Sequence, residues 1–322
     1  MMRLPAFDLK QPATIEEAVA LLADSPGTAV LAGGTDLIPN MKRHQINPAT
    51  VMSLAAIDSL RGIKTEEDAS VTIGALTTVQ ALAASGDVPT ALAAAAAGVG
   101  SPQIRNVATV GGNLCVDTRC GYINQTEPWR LASGLCLKAD GDVCWVAPKG
   151  GECVAVSSSD LAPVAVALDA EVDLVGPDGQ RTLTAADLYL PDGIEYLSKS
   201  SGEILTAVRV PPRTEWRTSY RKLRRRGSID FSMLSVAVAI QLSEDGAVEE
   251  ARIVLGAVAS APLRVREAED LLVGQRFDAE LIESAAELAA KAVRPYDNVD
   301  LGSRYRKWMA SVYVSRALRD LI

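Results

Sequence analysis

VLAGGTDL, residues 30–37, decides how this chain is read. An apolar run of strand length ends in two glycines, a threonine and an aspartate. Glycine admits positive φ and lets backbone N–H groups come close to a ligand. Successive N–H groups in such a turn form a concave anion site. ATVGGN, residues 108–113, has the same shape: a strand-like approach, Gly111 and Gly112, then a small polar residue. Thr35 and Asn113 offer side-chain hydrogen bonds at matching places. A dinucleotide pyrophosphate is the natural guest of such a pair, and a plain structural turn is the alternative for each glycine pair alone. Neither segment is GxGxxG or GxxxxGK[ST], so Rossmann and P-loop readings fail.

The rest of the chain narrows the classes. A length of 322 residues suits two units and a core large enough to need no disulfides. The N-terminal stretch shows no basic region followed by an apolar one, and no run is apolar enough to span a bilayer, so a soluble cytoplasmic protein with reduced thiols is expected. A net charge of −8 argues against nucleic-acid binding. The single histidine, His44, sits in the polar stretch NMKRHQINP and is expected at an exposed loop or helix end. One histidine excludes histidine-rich metal sites, and no serine or cysteine motif lies near it for nucleophilic catalysis.

Thr14 with Glu17 forms a capping box ahead of an amphipathic helix. TTVQALAAS and PTALAAAAAGV predict helices, and ATVMSLAAI and ASVTIGAL predict strands. NVATVGGNL predicts a strand running into its glycine turn. After residue 160 come a helix, two strands around a Pro-Asp-Gly turn, and the strand GEILTAVRVP. The boundary is placed there: residues 1–213 form one α+β unit and 214–322 a second. The second is expected to hold a three-stranded antiparallel sheet, a helical turn between its first two strands, a hairpin at Glu244–Gly246, and helices over 265–273, 278–293 and 304–321.

Residues 114–153 show no period. This segment holds all five cysteines: Cys115, then Cys120, Cys136, Cys144 and Cys153 at intervals of 16, 8 and 9. A long loop without an apolar face cannot order itself by burial. Four thiolates on a metal centre would order it, and soft thiolates select iron–sulfur clusters, zinc or Cu(I). Neither the close pairs of structural zinc sites nor ferredoxin spacings are present. Unrelated free cysteines remain the alternative.

AGGTDL, TVGGN, SSSDLAPVAVALDAEV, EILTAVRVP and YRKLRRRGSIDFSMLSVAVAI, in this order, resemble the FAD-binding subunits of the molybdenum hydroxylases, the family of xanthine and carbon monoxide dehydrogenases. The resemblance covers nearly the whole chain. It implies a vanillyl-alcohol-oxidase (PCMH)-type FAD-binding domain followed by a CO-dehydrogenase-flavoprotein-like C-terminal domain. It places the FAD pyrophosphate on Leu31, Ala32, Gly33, Gly34, Thr35, Asp36 and Leu37. Thr109, Val110, Gly111, Gly112 and Asn113 would form a second backbone cradle. Asp160 would bind the ribityl or adenosine end, with a helix N-cap as its alternative role. Leu205 would pack near a ring, and Lys222 would lie by the isoalloxazine, with a solvated strand face as its alternative.

Asn113 and Asp160 have 46 residues between them, where the family usually has a short connection. This insertion is similar to that of the flavin subunit of 4-hydroxybenzoyl-CoA reductase, which carries a [4Fe-4S] cluster. The resemblance implies Cys120, Cys136, Cys144 and Cys153 as ligands, Cys115 as a small core residue, and Trp129 and Trp145 as a shield. It implies as partners a molybdopterin-binding large subunit and a [2Fe-2S] small subunit in a dimer of heterotrimers, with ferredoxin as donor for reductive dehydroxylation to benzoyl-CoA. The alternatives are an oxidising hydroxylase passing electrons to NAD or another acceptor, and a zinc-stapled docking subunit.

Overall fold

The computed structural model describes residues 3–212 and 215–322. The boundary expected at 213/214 lies outside the described residues. The chain begins with β1 (Asp8–Lys10), α1 (Ile15–Asp24), β2 (Ala29–Leu31), α2 (Leu37–Lys42) and β3 (Thr50–Ser53). The capping box forms: Thr14 accepts from the N–H of Glu17 at 3.2 Å, and Glu17 accepts from the N–H of Ala13 at 2.7 Å. The three strands make a parallel sheet in the order β1-β3-β2.

Next come β4 (Ile63–Thr65), β5 (Val71–Gly74), α3 (Val79–Ala84), α4 (Thr90–Gly98), α5 (Pro102–Arg105), α6 (Val110–Leu114), α7 (Glu127–Ser133) and α8 (Ala162–Ala167). They are followed by β6 (Glu171–Gly176), β7 (Gly179–Thr184) and β8 (Ile204–Val210). An antiparallel sheet takes the order β4-β5-β8-β6-β7. The strand expected ahead of Gly111 is absent. Instead Thr109 caps a helix, its side chain accepting from the N–H of Gly112 at 3.1 Å. A good cap outweighs the poor helix propensity of two glycines.

The chain ends with β9 (Trp216–Leu223), β10 (Leu234–Leu242), β11 (Val248–Gly256), β12 (Leu263–Arg264), α9 (Arg266–Leu272), α10 (Ala279–Ala292) and α11 (Ser303–Arg319). The three expected strands form, and the two-residue β12 adds an edge. No helical turn joins β9 to β10; residues 224–233 only bend. β10 alternates by size. Leu234, Val236, Val238 and Ile240 face a core with α9, α10 and α11, each branched side chain contributing about 1.5–3 kcal/mol by burial. Ala237 and Ala239 face the opposite core, shared with α4, α8 and the five-stranded sheet. Small residues there let α4 and α8 sit close against the sheet.

Candidate functional site

The glycine turn after β2 is open towards a ligand. Gly34 has φ of +71°, which a side chain would strain. A Cβ on Gly33 would lie 2.0 Å from the carbonyl oxygen of Val107, so this turn packs backbone-to-backbone on the approach to the second glycine pair. The N–H groups of Ala32, Gly33, Gly34 and Thr35 donate to no protein acceptor among the described residues. Unpartnered N–H groups in a glycine turn are what an anion needs.

The second glycine segment differs from the first in where its N–H groups go. Val110 N–H donates to Thr77 O at 2.9 Å and Gly111 N–H to Ala75 O at 2.8 Å. Gly112 N–H goes to the Thr109 hydroxyl, and Asn113 N–H to Thr109 O at 2.9 Å. The N–H groups of Val110 to Asn113 are thus spent inside the chain, while that of Thr109 donates to no protein acceptor among the described residues. Gly111 serves close packing instead, since a Cβ would meet that of Ala75 at 2.8 Å. The Asn113 side chain accepts from Ser159 Oγ at 2.8 Å and Leu161 N at 3.1 Å, tying α6 to the start of α8.

Asp160 and Lys222 form one buried pair. Lys222 Nζ donates to Asp160 Oδ2 at 2.7 Å, and each side chain is 5% exposed. The same carboxylate accepts from Tyr220 OH at 2.8 Å and Ser232 Oγ at 2.7 Å. Burial, then the Asp160 charge, pushes the Tyr220 phenol well above its usual range, so it remains a donor. Asp160 is not the helix cap: Leu161 holds the N-cap position of α8 without a side-chain bond, and Ser159 Oγ, just before the helix, accepts from Ala162 N–H at 2.9 Å. Nor does Lys222 lie on a solvated face. Leu205 is buried in β8 opposite Leu174, in the main core.

The cysteine segment folds back on itself beside the open turn. Arg119 and Val156 exchange both backbone hydrogen bonds at 2.8 Å and close its neck. The Arg119 guanidinium pairs with Asp36 of the glycine turn, donates to Asn40 Oδ1 at 3.2 Å and lies 4.6 Å from the centroid of the Phe231 ring. Burial lowers its pKa to about 10, which leaves it charged at neutral pH. Arg119 and Asp36 thus join the cysteine loop to the turn. The loop also rests on the end of α2: Arg130 donates to His44 O at 2.8 Å and Gln45 donates to Ile123 O at 2.5 Å. His44 itself is half-buried at this helix end, with Nδ1 3.1 Å from Asn47 Oδ1.

Cys120, Cys136, Cys144 and Cys153 line a single small pocket. All are free thiols. Apolar Ile123, Val146 and Ala155 complete much of the wall. Burial pushes the Cys120 and Cys153 thiols up; backbone N–H groups of Tyr122 and Ile123 counter this at Cys120, and that of Ala155 at Cys153. Neighbouring cysteines raise both further, as expected of sulfurs grouped around one space. Among the described residues no three His, Cys, Asp or Glu side chains converge closely enough to hold a single ion. Four thiols lining one pocket are a soft donor set of the kind that iron–sulfur clusters, zinc or Cu(I) take. Cys115 lies outside the pocket and packs, half-buried, against the main core.

Trp145 lines the pocket and donates to Gly134 O at 3.1 Å; Trp129 packs on Tyr122 with centroids 6.3 Å apart. Both are 41% exposed, so the shield they give is partial. Sequence reasoning missed Lys138. Its ammonium is inside the loop, donating to Asp117 Oδ1 and Gly193 O, both at 2.6 Å, and to the Thr118 hydroxyl. Its charge opposes, without reversing, the upward push of burial on the Cys153 thiol. A basic residue two places after Cys136 was the only signal. Gly193 was missed as well: a Cβ there would lie 2.7 Å from Cys153 Sγ.

Comparison with known proteins places this geometry. Residues 5–213 match the family described as the FAD binding domain in molybdopterin dehydrogenase, and residues 218–321 match the CO dehydrogenase flavoprotein C-terminal domain. The chain belongs to the FAD-binding medium subunits of the molybdenum hydroxylases. This flavin subunit is 32% identical to the carbon monoxide dehydrogenase medium chain of Afipia carboxidovorans, over 97% of this chain and 96% of that one. It is 34% identical to the aldehyde oxidoreductase FAD-binding subunit of Escherichia coli, over 83% and 86%. The solved carbon monoxide dehydrogenase of Hydrogenophaga pseudoflava superposes with a TM-score of 0.81 at 29% identity, covering 99% and 98%. The flavin subunit therefore has the PCMH-type FAD-binding domain and the family's C-terminal domain, as the sequence implied. No described helix is long and apolar enough to cross a membrane.

Proposed function

We propose that this chain is the electron-transfer subunit of an oxidising molybdenum hydroxylase and holds an iron–sulfur centre beside its FAD. The observation that carries this reading is the pocket lined by four cysteines on a loop tied to the open glycine turn through Arg119 and Asp36. FAD, when bound, couples one-electron and two-electron transfers. The residues of this chain would hold it. Leu31–Leu37 supply N–H groups for the pyrophosphate, residues 109–113 form the wall behind them, and the Asp160–Lys222 pair and Leu205 fix the surrounding core. Cys120, Cys136, Cys144 and Cys153 are the ligands of a [4Fe-4S] cluster in this reading. Lys138 offsets part of its negative charge, and partly exposed Trp145 marks its route to solvent. Likeness to carbon monoxide dehydrogenase and aldehyde oxidoreductase subunits supports the oxidising direction. A molybdopterin-binding large subunit and a [2Fe-2S] small subunit complete the complex, in a reducing cytoplasm.

The cysteine loop itself favours a second reading. In it, ferredoxin feeds the loop cluster, and a dimer of heterotrimers reduces 4-hydroxybenzoyl-CoA to benzoyl-CoA. Two measurements on the anaerobically purified complex test these claims. Iron and acid-labile sulfide in equal amounts, beyond what the [2Fe-2S] small subunit holds, are expected together with FAD; zinc in place of that excess iron would defeat the cluster. The FAD should be reduced by an aldehyde or comparable substrate through the complex. Reduction by ferredoxin alone, with turnover of 4-hydroxybenzoyl-CoA, would replace the first reading by the second.

A further inference from the structure

The two end cysteines of the loop are pinned by one residue of the other unit. Asn298 lies between α10 and α11 and is 2% exposed. Its carbonyl accepts from Gly121 N–H, directly after Cys120, at 2.6 Å. Its side-chain Nδ2 donates to Val154 O, directly after Cys153, at 2.5 Å. One residue thus grips both strands of the neck on the cysteine side of the Arg119–Val156 bridge. Asn298 is held in turn. Arg306 of α11, fully buried, donates to Asn298 Oδ1 at 3.4 Å, and to the carbonyls of Ala257 and Leu301 at 3.0 Å and of Tyr296. Below the neck, Gly193 N–H donates to Cys153 O at 2.9 Å.

Metal–sulfur bonds tolerate errors of only about 0.2 Å, so ligands from opposite ends of a long loop need a fixed separation. A loop with a small apolar cluster of its own does not supply this. We propose that Asn298 is a positioning residue for the iron–sulfur site: it sets the distance between Cys120 and Cys153, and Arg306 sets Asn298. The inference rests on the proposed cluster. It makes the C-terminal unit part of the metal site, although that unit contributes no ligand.

The chemistry of Asn298 is specific. It presents an acceptor and a donor to two chain segments at once. Asn298→Asp keeps the size and the backbone acceptor but turns the donor into a carboxylate oxygen facing Val154 O. Asn298→Ala removes the donor without repulsion. In the full chain, purified anaerobically with its co-purifying subunits, Asn298→Ala should release the iron held beyond that of the [2Fe-2S] subunit to a chelator about tenfold faster than wild type. Its cluster EPR signal should shift, while FAD content stays at the wild-type value. Asn298→Asp should be worse, and Asn298→Ser, which keeps a donor, should recover part of the loss. A second readout needs no iron. In the metal-free chain, alkylation of Cys120 and Cys153, followed by mass spectrometry, should speed up in Asn298→Ala while that of Cys115 does not. Wild-type iron retention, EPR signal and alkylation rates in Asn298→Ala overturn the inference and leave the cluster standing. Absence of iron from the wild-type chain overturns both.

Discussion

At Asp160 a buried carboxylate is balanced by one cation and two hydroxyls, and the balance crosses from one unit of the chain to the other. Removing one partner of a buried pair is costly because the other charge is stranded. Lys222→Met should therefore destabilise the chain by about 3 kcal/mol. Adding Asp160→Asn should return most of that, since the stranded charge is gone and the Tyr220 and Ser232 hydroxyls can still bond the amide. Urea unfolding with an unchanged m value measures both. A double variant as unstable as Lys222→Met would refute the account. Both residues were legible in the sequence as candidates, but their pairing was not. They stand 62 positions apart, and a motif match assigns each to a ligand without saying that they meet. Glycine had the reverse problem. Gly33-Gly34 and Gly111-Gly112 look alike as letters, and only the hydrogen-bond partners separate an open turn from a capped helix.

Among the elements, the β7–β8 pair carries a pH dependence. Glu203, just before β8, is held from its ordinary 4.5 down to about 2, first by the Arg181 guanidinium of β7, with Ser200 adding to it. A carboxylate depressed in the folded state stabilises fully above its unfolded pKa, and the gain is lost as pH falls through the folded one. Arg181 is 42% exposed, so screening reduces the gain to about 1 kcal/mol. The stability difference between wild type and Glu203→Gln should be present at pH 7, shrink below about pH 4.5 and vanish near pH 2. A difference that does not change between pH 7 and pH 3 would rule this out. Elements with a clear period were legible: the spacing over 278–293 became α10 at Ala279–Ala292, and its Asp278 cap forms with N–H groups of Glu280 and Leu281. Elements set by tertiary contact were not. β12 exists because Leu263 and Arg264 pair with Leu255 and Val254, and α6 exists because Thr109 caps it.

Across the whole molecule, the main core does not stop where the units divide. Tyr220, Ala237, Ala239 and Val254 of the C-terminal sheet are buried in the same cluster as α4, α8 and the five-stranded sheet. Lys222 donates to Gly98 O at 3.0 Å at the end of α4, and Thr90 at its start bonds the Thr218 hydroxyl at 3.0 Å. A sequence shows two patterned regions and a proline pair between them; it does not show that one face of the second region is cut to fit the first. Residues 1–212 alone would expose the apolar faces of α4 and α8 and leave Asp160 without Lys222, Tyr220 or Ser232. Such a fragment should lack a cooperative thermal transition and bind FAD far more weakly than the full chain, because residues 108–114, on which the open turn packs, and α8 share this core. Mixing it with residues 215–322 should restore both properties if the two pieces still dock. Near-UV circular dichroism and FAD fluorescence measure the outcome. A fragment 1–212 that melts cooperatively and holds FAD as the full chain does would show that the shared core is an interface between independent domains, and that the buried pair at Asp160 is dispensable for the flavin fold.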